Sequence, residues 1–211
     1  MDMFCYQCEQ TGRGACTRTG VCGKDPENAA LQDLLLHISK GISQYAWRAA
    51  QMGQRDEGLD RFVIQALFTT VTNVNFDSQR LENLLKDANQ NLRQARDLYH
   101  RAAQEAGKEP VELKGPAQWE IAGSKEELIQ QGRDIGIDKR SQALGPDVTG
   151  LQELITYGLK GTAAYAEHAW ILGQKDDAVQ AFFHEALCFL TEDHSVDEFT
   201  AMSLRVGEVN L

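Results

Sequence analysis

Apolar residues at Leu31, Leu34, Leu35, Ile38, Ile42, Tyr45, Ala49 and Met52 recur at spacings of three and four. That period puts them on one stripe of a helix, with polar residues between them. Asp25-Pro26-Glu27 supplies the start: Asp25 suits the cap, Pro26 the first helical position and Glu27 the positive helix end. The pattern predicts one long amphipathic helix stopping at Gly53. A second helix is expected from about Leu59 to Val74, through Phe62, Ala66, Leu67 and Val71. Its β-branched close (Thr69, Thr70, Val71, Thr72, Val74) weakens that end.

A third start lies at Asp77, with Phe76 and Leu81 placed to staple the first turn. Leu81, Leu84, Leu85, Ala88, Leu92, Ala95, Tyr99 and Ala102 continue the stripe, and Arg80, Glu82, Lys86, Asp87, Arg93 and Arg96 read as its solvated face. Gly107 to Gly123 breaks the pattern with Pro110, Gly115 and Pro116, and reads as a linker or short hairpin anchored by Trp119 and Ile121. Ser124 with Glu127 forms a capping box for a short helix near Leu128. A second loose stretch is expected from about Gly136 to Gly150.

The chain then repeats itself. Leu31-Gln32-Asp33-Leu34 returns as Leu151-Gln152-Glu153-Leu154, Lys40-Gly41 as Lys160-Gly161, Tyr45-Ala46 as Tyr165-Ala166 and Gly53-Gln54 as Gly173-Gln174. Phe62 matches Phe182, Ala66-Leu67 matches Ala186-Leu187 and Asp77 matches Asp197, all at an offset of 120 without a gap. Fifteen of the forty-seven positions from 31 to 77 are identical to their counterparts, where average composition gives about 3 by chance. A duplicated helical unit follows. The expected fold is all-α: two three-helix bundles related by the repeat, behind an N-terminal cysteine loop. The corresponding division is 1–24 for the loop, 25–106 for the first bundle, 107–150 for a linker with a short helix, and 151–211 for the second bundle. Gly41 and Gly161 sit mid-helix, where glycine costs about 1 kcal/mol, so each is expected to admit a close backbone.

Composition narrows the partners. The 211 residues carry 31 acids against 21 bases, a net charge of −10, which argues against nucleic acid and anionic membranes as partners. No apolar run approaches the ~18 residues of a membrane span, and no basic or apolar leader precedes the first cysteine. A cytoplasmic protein is expected, and there clustered cysteines are more often metal or redox groups than disulfides.

Four of the five cysteines lie at Cys5, Cys8, Cys16 and Cys22, in the spacing C-x2-C-x7-C-x5-C, interleaved with Gly12, Gly14, Gly20 and Gly23. Four thiolates suit a cubane iron–sulfur cluster or one tetrahedral zinc. The slack second spacing and the glycine-rich backbone favour the cluster, with zinc and disulfides or inert thiols as alternatives. Arg13, Arg18 and Lys24 flank these ligands, either to offset thiolate charge or as ordinary surface charges. Cys188, among Ala186, Leu187, Phe189 and Leu190, reads as a small buried hydrophobe, with His184 one turn away as the only candidate partner. None of His37, His100, His168, His184 and His194 has Glu three positions before it, as a helical di-iron site would need. Phosphate loop and nucleophile elbow are both absent, and Gly12-Arg13-Gly14-Ala15 is too short for a dinucleotide fingerprint.

Phe4-Cys5-Tyr6-Gln7-Cys8-Glu9-Gln10-Thr11, Cys16 and Gly20-Val21-Cys22-Gly23-Lys24 resemble the hybrid cluster proteins, also called prismane proteins or hydroxylamine reductases. The likeness extends through Leu31–Leu35, Thr72-Asn73-Val74-Asn75-Phe76-Asp77, Gly158–Gly161 and Ala163–His168. That family usually begins Met-Phe-Cys, so Met3 corresponds to its start. The resemblance implies a cytoplasmic enzyme that reduces hydroxylamine to ammonia and water, with a role in nitrosative-stress defence. It implies one [4Fe-4S] cluster held by Cys5, Cys8, Cys16 and Cys22, and an external electron-donor protein. It also implies a separate hybrid iron–sulfur–oxygen cluster, held by His, Glu and Cys of later domains. With only Cys188 beyond the loop, this chain is expected to be the N-terminal helical part, cut within its last helix, to need the C-terminal domains as partners, and to be inactive alone with no catalytic residue of its own. The alternative is a non-catalytic zinc- or cluster-binding helical module for assembly or sensing.

Overall fold

The computed structural model describes residues 2–211. Its regular elements are helical: α1 (Pro26–Ala50), α2 (Glu57–Thr69), α3 (Ser78–Glu105), α4 (Lys125–Asp134), α5 (Ile137–Leu144), α6 (Pro146–Ile171), α7 (Asp177–Phe189) and α8 (Val196–Val209). Short 3-10 turns occupy Gly12–Gly14 and Gly115–Gln118. Among the described residues, extended backbone pairs only at a single antiparallel bridge between Cys5 and Cys16.

The helix starts follow their caps. Asp25 accepts from the Asn28 amide at 2.7 Å, and Asp77 from the amides of Gln79 and Arg80. Ser124 and Glu127 form the reciprocal capping box, and Ser195 with Glu198 forms a second one at α8. Each satisfies amides that have no partner inside the helix. Phe76, expected to staple the start of α3, is instead exposed.

Three expected segments differ. The second helix ends at Thr69 rather than Val74: Thr70 turns its hydroxyl back onto the Leu67 carbonyl, and Asn73 takes a left-handed φ of 62°. Residues 107–123 build no hairpin among the described residues; one 3-10 turn interrupts irregular chain, with Trp119 and Ile121 packed against the core. The stretch from Gly136 to Gly150, expected to be loose, is helical. Gly145, at φ 84°, turns the chain sharply between α5 and α6, and Pro146 then opens α6. Gly150 lies inside α6 and is exposed, at a cost of about 1 kcal/mol against alanine.

Helix bounds recur at the offset of 120. α1 and α6 start at Pro26 and Pro146, and α2 and α7 at Glu57 and Asp177. Asp56 and Asp176 cap the second helix of each pair with the same two amide bonds. The turn between is also shared, with Gly53 at φ 82° and Gly173 at φ 75°. Packing crosses between the copies: α1 lies on α7 and α2 on α6, while α1 also packs on α3 and α6 on α8. The buried side chains therefore form one contiguous core drawn from both copies, including Leu35, Ile38, Leu67, Phe183 and Phe199. Each such side chain contributes about 1.5–3 kcal/mol of burial free energy.

The two mid-helix glycines behave differently. A Cβ on Gly41 would stand 2.3 Å from the Pro116 carbonyl oxygen, so α1 accepts the 115–118 turn only because no side chain is there. Gly161 meets nothing within 4 Å and is exposed, so no backbone approaches it among the described residues.

Candidate functional site

The cysteine loop lies across both copies of the repeat. Cys5 and Cys16 exchange both backbone hydrogen bonds, at 3.1 and 2.8 Å, which sets the two strands of the loop side by side. The Thr11 hydroxyl lies 3.4 Å from Cys8 Sγ and 4.0 Å from Cys16 Sγ, tying a third cysteine to the same corner. Cys22 sits beneath Gly20, where an added Cβ would come within 3.1 Å of Cys22 Sγ. Met3, Cys16 and Ala29 form a small apolar seat for this corner on α1.

Both copies clamp the loop. The Gln7 carbonyl accepts from Thr72 of the α2–α3 connection and from Tyr157 of α6, each at 3.1 Å. In the orientation that satisfies both of its ends, the Gln7 amide donates to the Thr70 carbonyl at 3.2 Å and accepts from Lys160 at 3.1 Å. Tyr6 donates to Glu153 Oε2 at 2.7 Å, and burial beside that carboxylate holds the phenol protonated.

All five cysteines are free thiols. Among the described residues no three His, Cys, Asp or Glu converge as they would around one metal ion. The donor set is four unpaired thiols on one clamped loop, one buried and three half-buried, which in chemistry matches the cysteine ligands an iron–sulfur group takes. Of the flanking cations, Lys24 is buried and donates to Gln32 at 2.6 Å, Arg18 is exposed, and the Arg13 side chain lies outside the described residues.

Beneath the loop lies a layer of buried charge that the hydrophobic pattern does not announce. Glu153 accepts from Tyr6 and from Arg140 of α5; the Arg140 and Lys40 charges hold its carboxyl below the usual range, against the opposing effect of burial. Asp33 is pushed up to about 6, mainly by burial. His37 is lowered to about 4, by burial and then by Lys40. Lys40 and Lys160 are both lowered to about 8, again chiefly by burial. One sequence signal pointed here: Lys40 and Lys160 are repeat counterparts, and so are Asp33 and Glu153.

Elsewhere, Ser43, His184 and Asp60 line up as hydroxyl, imidazole and carboxylate. Ser43 Oγ lies 3.0 Å from His184 Nδ1, and His184 Nε2 lies 2.9 Å from Asp60. Ser43 is wholly buried mid-helix, so the trio joins α1, α2 and α7 rather than facing a substrate. Cys188 does not pair with His184. Its Sγ accepts from Arg48 at 3.1 Å, and burial pushes the thiol up to about 11, which keeps it unreactive.

The structure defines the chain as an all-α protein with a clamped loop of four unpaired cysteines. The particular family is shown by comparison: a model of the Prismane/CO dehydrogenase family matches residues 3–211, and this chain belongs to that family. A protein named hydroxylamine reductase from Rhodospirillum rubrum is 48% identical over 211 residues, covering 99% of this chain and 38% of the relative. Proteins of the same name from Acidithiobacillus ferrooxidans and Geobacter sulfurreducens are 46% and 45% identical, covering 99% and 100% of this chain and 39% of each relative. The chain thus spans about two fifths of the length of these curated relatives. No helix among the described residues is long and apolar enough to cross a membrane.

Proposed function

We propose that this chain is the electron-entry portion of a cytoplasmic hydroxylamine reductase. In it Cys5, Cys8, Cys16 and Cys22 hold one [4Fe-4S] cluster. The observation that carries the reading is the loop itself: four free thiols gathered on a segment clamped by Thr72, Tyr157 and Tyr6, in a chain whose relatives bear that name. When bound, the cluster supplies reversible one-electron storage. The chain's own residues position and shield it. Cys5 and Cys16 are fixed by the backbone bridge, Thr11 orients Cys8 and Cys16, and Lys160 places positive charge within the field of Cys5.

In this reading an external donor protein delivers electrons to the loop. They then pass to a second, hybrid iron–sulfur–oxygen cluster on the remaining part of a full-length enzyme, where hydroxylamine takes two electrons and two protons to give ammonia and water. Anaerobic purification followed by metal and sulfide analysis tests the proposal. About four irons and four sulfides per chain are expected; stoichiometric zinc without iron would overturn it in favour of a zinc-binding helical module.

A further inference from the structure

The duplicated helices bring two acid–lysine pairs toward one another. Asp33 and Lys40 of α1 have Glu153 and Lys160 of α6 as their repeat counterparts, and each of these charges feels the fields of others in the set. Three of the four are committed or placed away from the loop. Glu153 holds Tyr6 and Arg140, and Lys160 donates to Gln7 between Cys5 and Cys8. Lys40 lines the far cavity with His37.

Asp33 is the exception. Burial acts on it most strongly, followed by the Lys160 charge, and no hydrogen bond reaches it among the described residues. It stands in the wall of two cavities. One, of about 230 Å³, is also lined by Met3 and Phe4 beside Cys5; the other, of about 280 Å³, by His37 and Lys40. Both cavities therefore border Asp33, and Lys160 lies in the fields of both Cys5 and Asp33.

We propose that Asp33 is the proton partner of the cysteine loop: its carboxylate takes one proton from a hydronium ion or buffer acid of the solvent as the loop's cluster gains one electron from the external donor, and returns the proton to the solvent as the electron leaves. The step balances, because the added negative charge at the cluster is matched by the proton on Asp33. It rests on the cluster reading given above. Extra negative charge at Cys5 draws more strongly on the shared Lys160 and leaves the Asp33 carboxylate less compensated, so protonation follows reduction.

The groups facing Asp33 frame the effect. The loop contributes Asp2 and Lys24; α1 contributes His37 and Lys40. From α4 come Arg133 and Asp134, and from α5 Asp138, Lys139 and Arg140. Glu153 and Lys160 come from α6. Asp33 sits at about 6 and His37 at about 4, so near neutrality Asp33 is the carboxyl of this set poised to change state.

The test is an equilibrium redox titration of the anaerobically prepared chain, followed by visible absorbance and electron paramagnetic resonance from about pH 5 to about pH 8. The wild-type midpoint potential is expected to fall as pH rises through the region near 6 and to level above it. Asp33→Asn is expected to flatten the profile, and His37→Gln to leave its slope in place. Lys160→Met, which removes a charge that lowers Asp33, is expected to move the inflection to higher pH. A cluster with a flat wild-type profile overturns the inference alone, as does an undiminished slope in folded Asp33→Asn. A chain without iron and sulfide overturns the cluster reading and this inference with it.

Discussion

Tyr6 donates its phenolic hydrogen to Glu153 at 2.7 Å, joining the cysteine loop to a helix 147 positions further along the chain. The loop is not an appendage of the first helical copy; this side-chain tether belongs to the second. Arg140 binds the other oxygen of the same carboxylate, so the tether is charge-assisted and mostly buried. Tyr6→Phe should therefore loosen the loop by about 1–3 kcal/mol, the cost of leaving a buried acceptor without its donor. Faster proteolysis between Cys8 and Cys22, with the helical circular-dichroism melt nearly unchanged, is the expected result. An unchanged cleavage rate would show that Thr72 and Tyr157 suffice to hold the loop.

Gly41 and Gly161 make a matched comparison, because the repeat places them at equivalent sites in unequal surroundings. Gly41→Ala would drive a methyl into the Pro116 carbonyl, 2.3 Å from the ideal Cβ position. Backbone on one side and a packed helix on the other leave little room to yield, and a loss of about 1–3 kcal/mol is expected. Gly161→Ala meets open space and gains helix propensity, up to about 1 kcal/mol. Urea denaturation of the two variants should move the midpoint in opposite directions; a shift of the same sign would mean the α1 crossing is not as close as described.

The helices were legible because their signals are local. Asp25-Pro26, Asp77 and the Ser124–Glu127 box each satisfy amides within one turn, and the predicted starts stand. What could not be read depends on neighbours distant in sequence. The polar side of α1 looks solvated, but α2, α3, α4 and α7 all pack on this helix, and Gln32, Ser39, Lys40, Ser43 and Gln44 are buried with its apolar stripe. A period of 3.6 marks which face is most apolar, not whether the other is also covered. The same limit hid Cys188's partner, since Arg48 comes from 140 positions away. Gly136, Gly145 and Gly150 were misleading in the other direction: the first precedes a helix, the second makes a turn and the third lies inside a helix.

Acid and base should act on the buried charge layer with opposite signs at its two neighbours. Asp33 is raised from 3.8 to about 6, so between those values the folded chain keeps a proton that the unfolded chain has released. Its contribution is present at low pH and lost as pH rises through that window. His37 is lowered from 6.5 to about 4, so its contribution is present above the ordinary value and lost as pH falls toward 4. Asp33→Asn should thus be more stable than wild type near pH 7 by on the order of 1–2 kcal/mol, with the difference vanishing below about pH 4. Denaturant titrations at both pH values check this; a variant less stable at neutral pH would mean that the Asp33 charge is compensated better than burial implies.

Cys16 and Cys188 are the two buried cysteines, and they should part company when replaced. Cys16 is bridged to Cys5, touches the Thr11 hydroxyl and belongs to the proposed ligand set, so Cys16→Ser should lower iron and sulfide per chain and bleach the brown colour. Cys188 lies on α7, where its thiol is held protonated and engaged by Arg48, so Cys188→Ser should leave metal content unchanged. Neither should have any hydroxylamine turnover to lose, because in the proposed reading catalysis belongs to a second cluster on the remaining part of a full-length enzyme. Colorimetric iron and sulfide assays, with hydroxylamine consumption under a chemical reductant, separate the possibilities. Full iron in Cys16→Ser would remove that residue from the ligand set, and steady turnover by the wild-type chain would place catalysis within the loop itself.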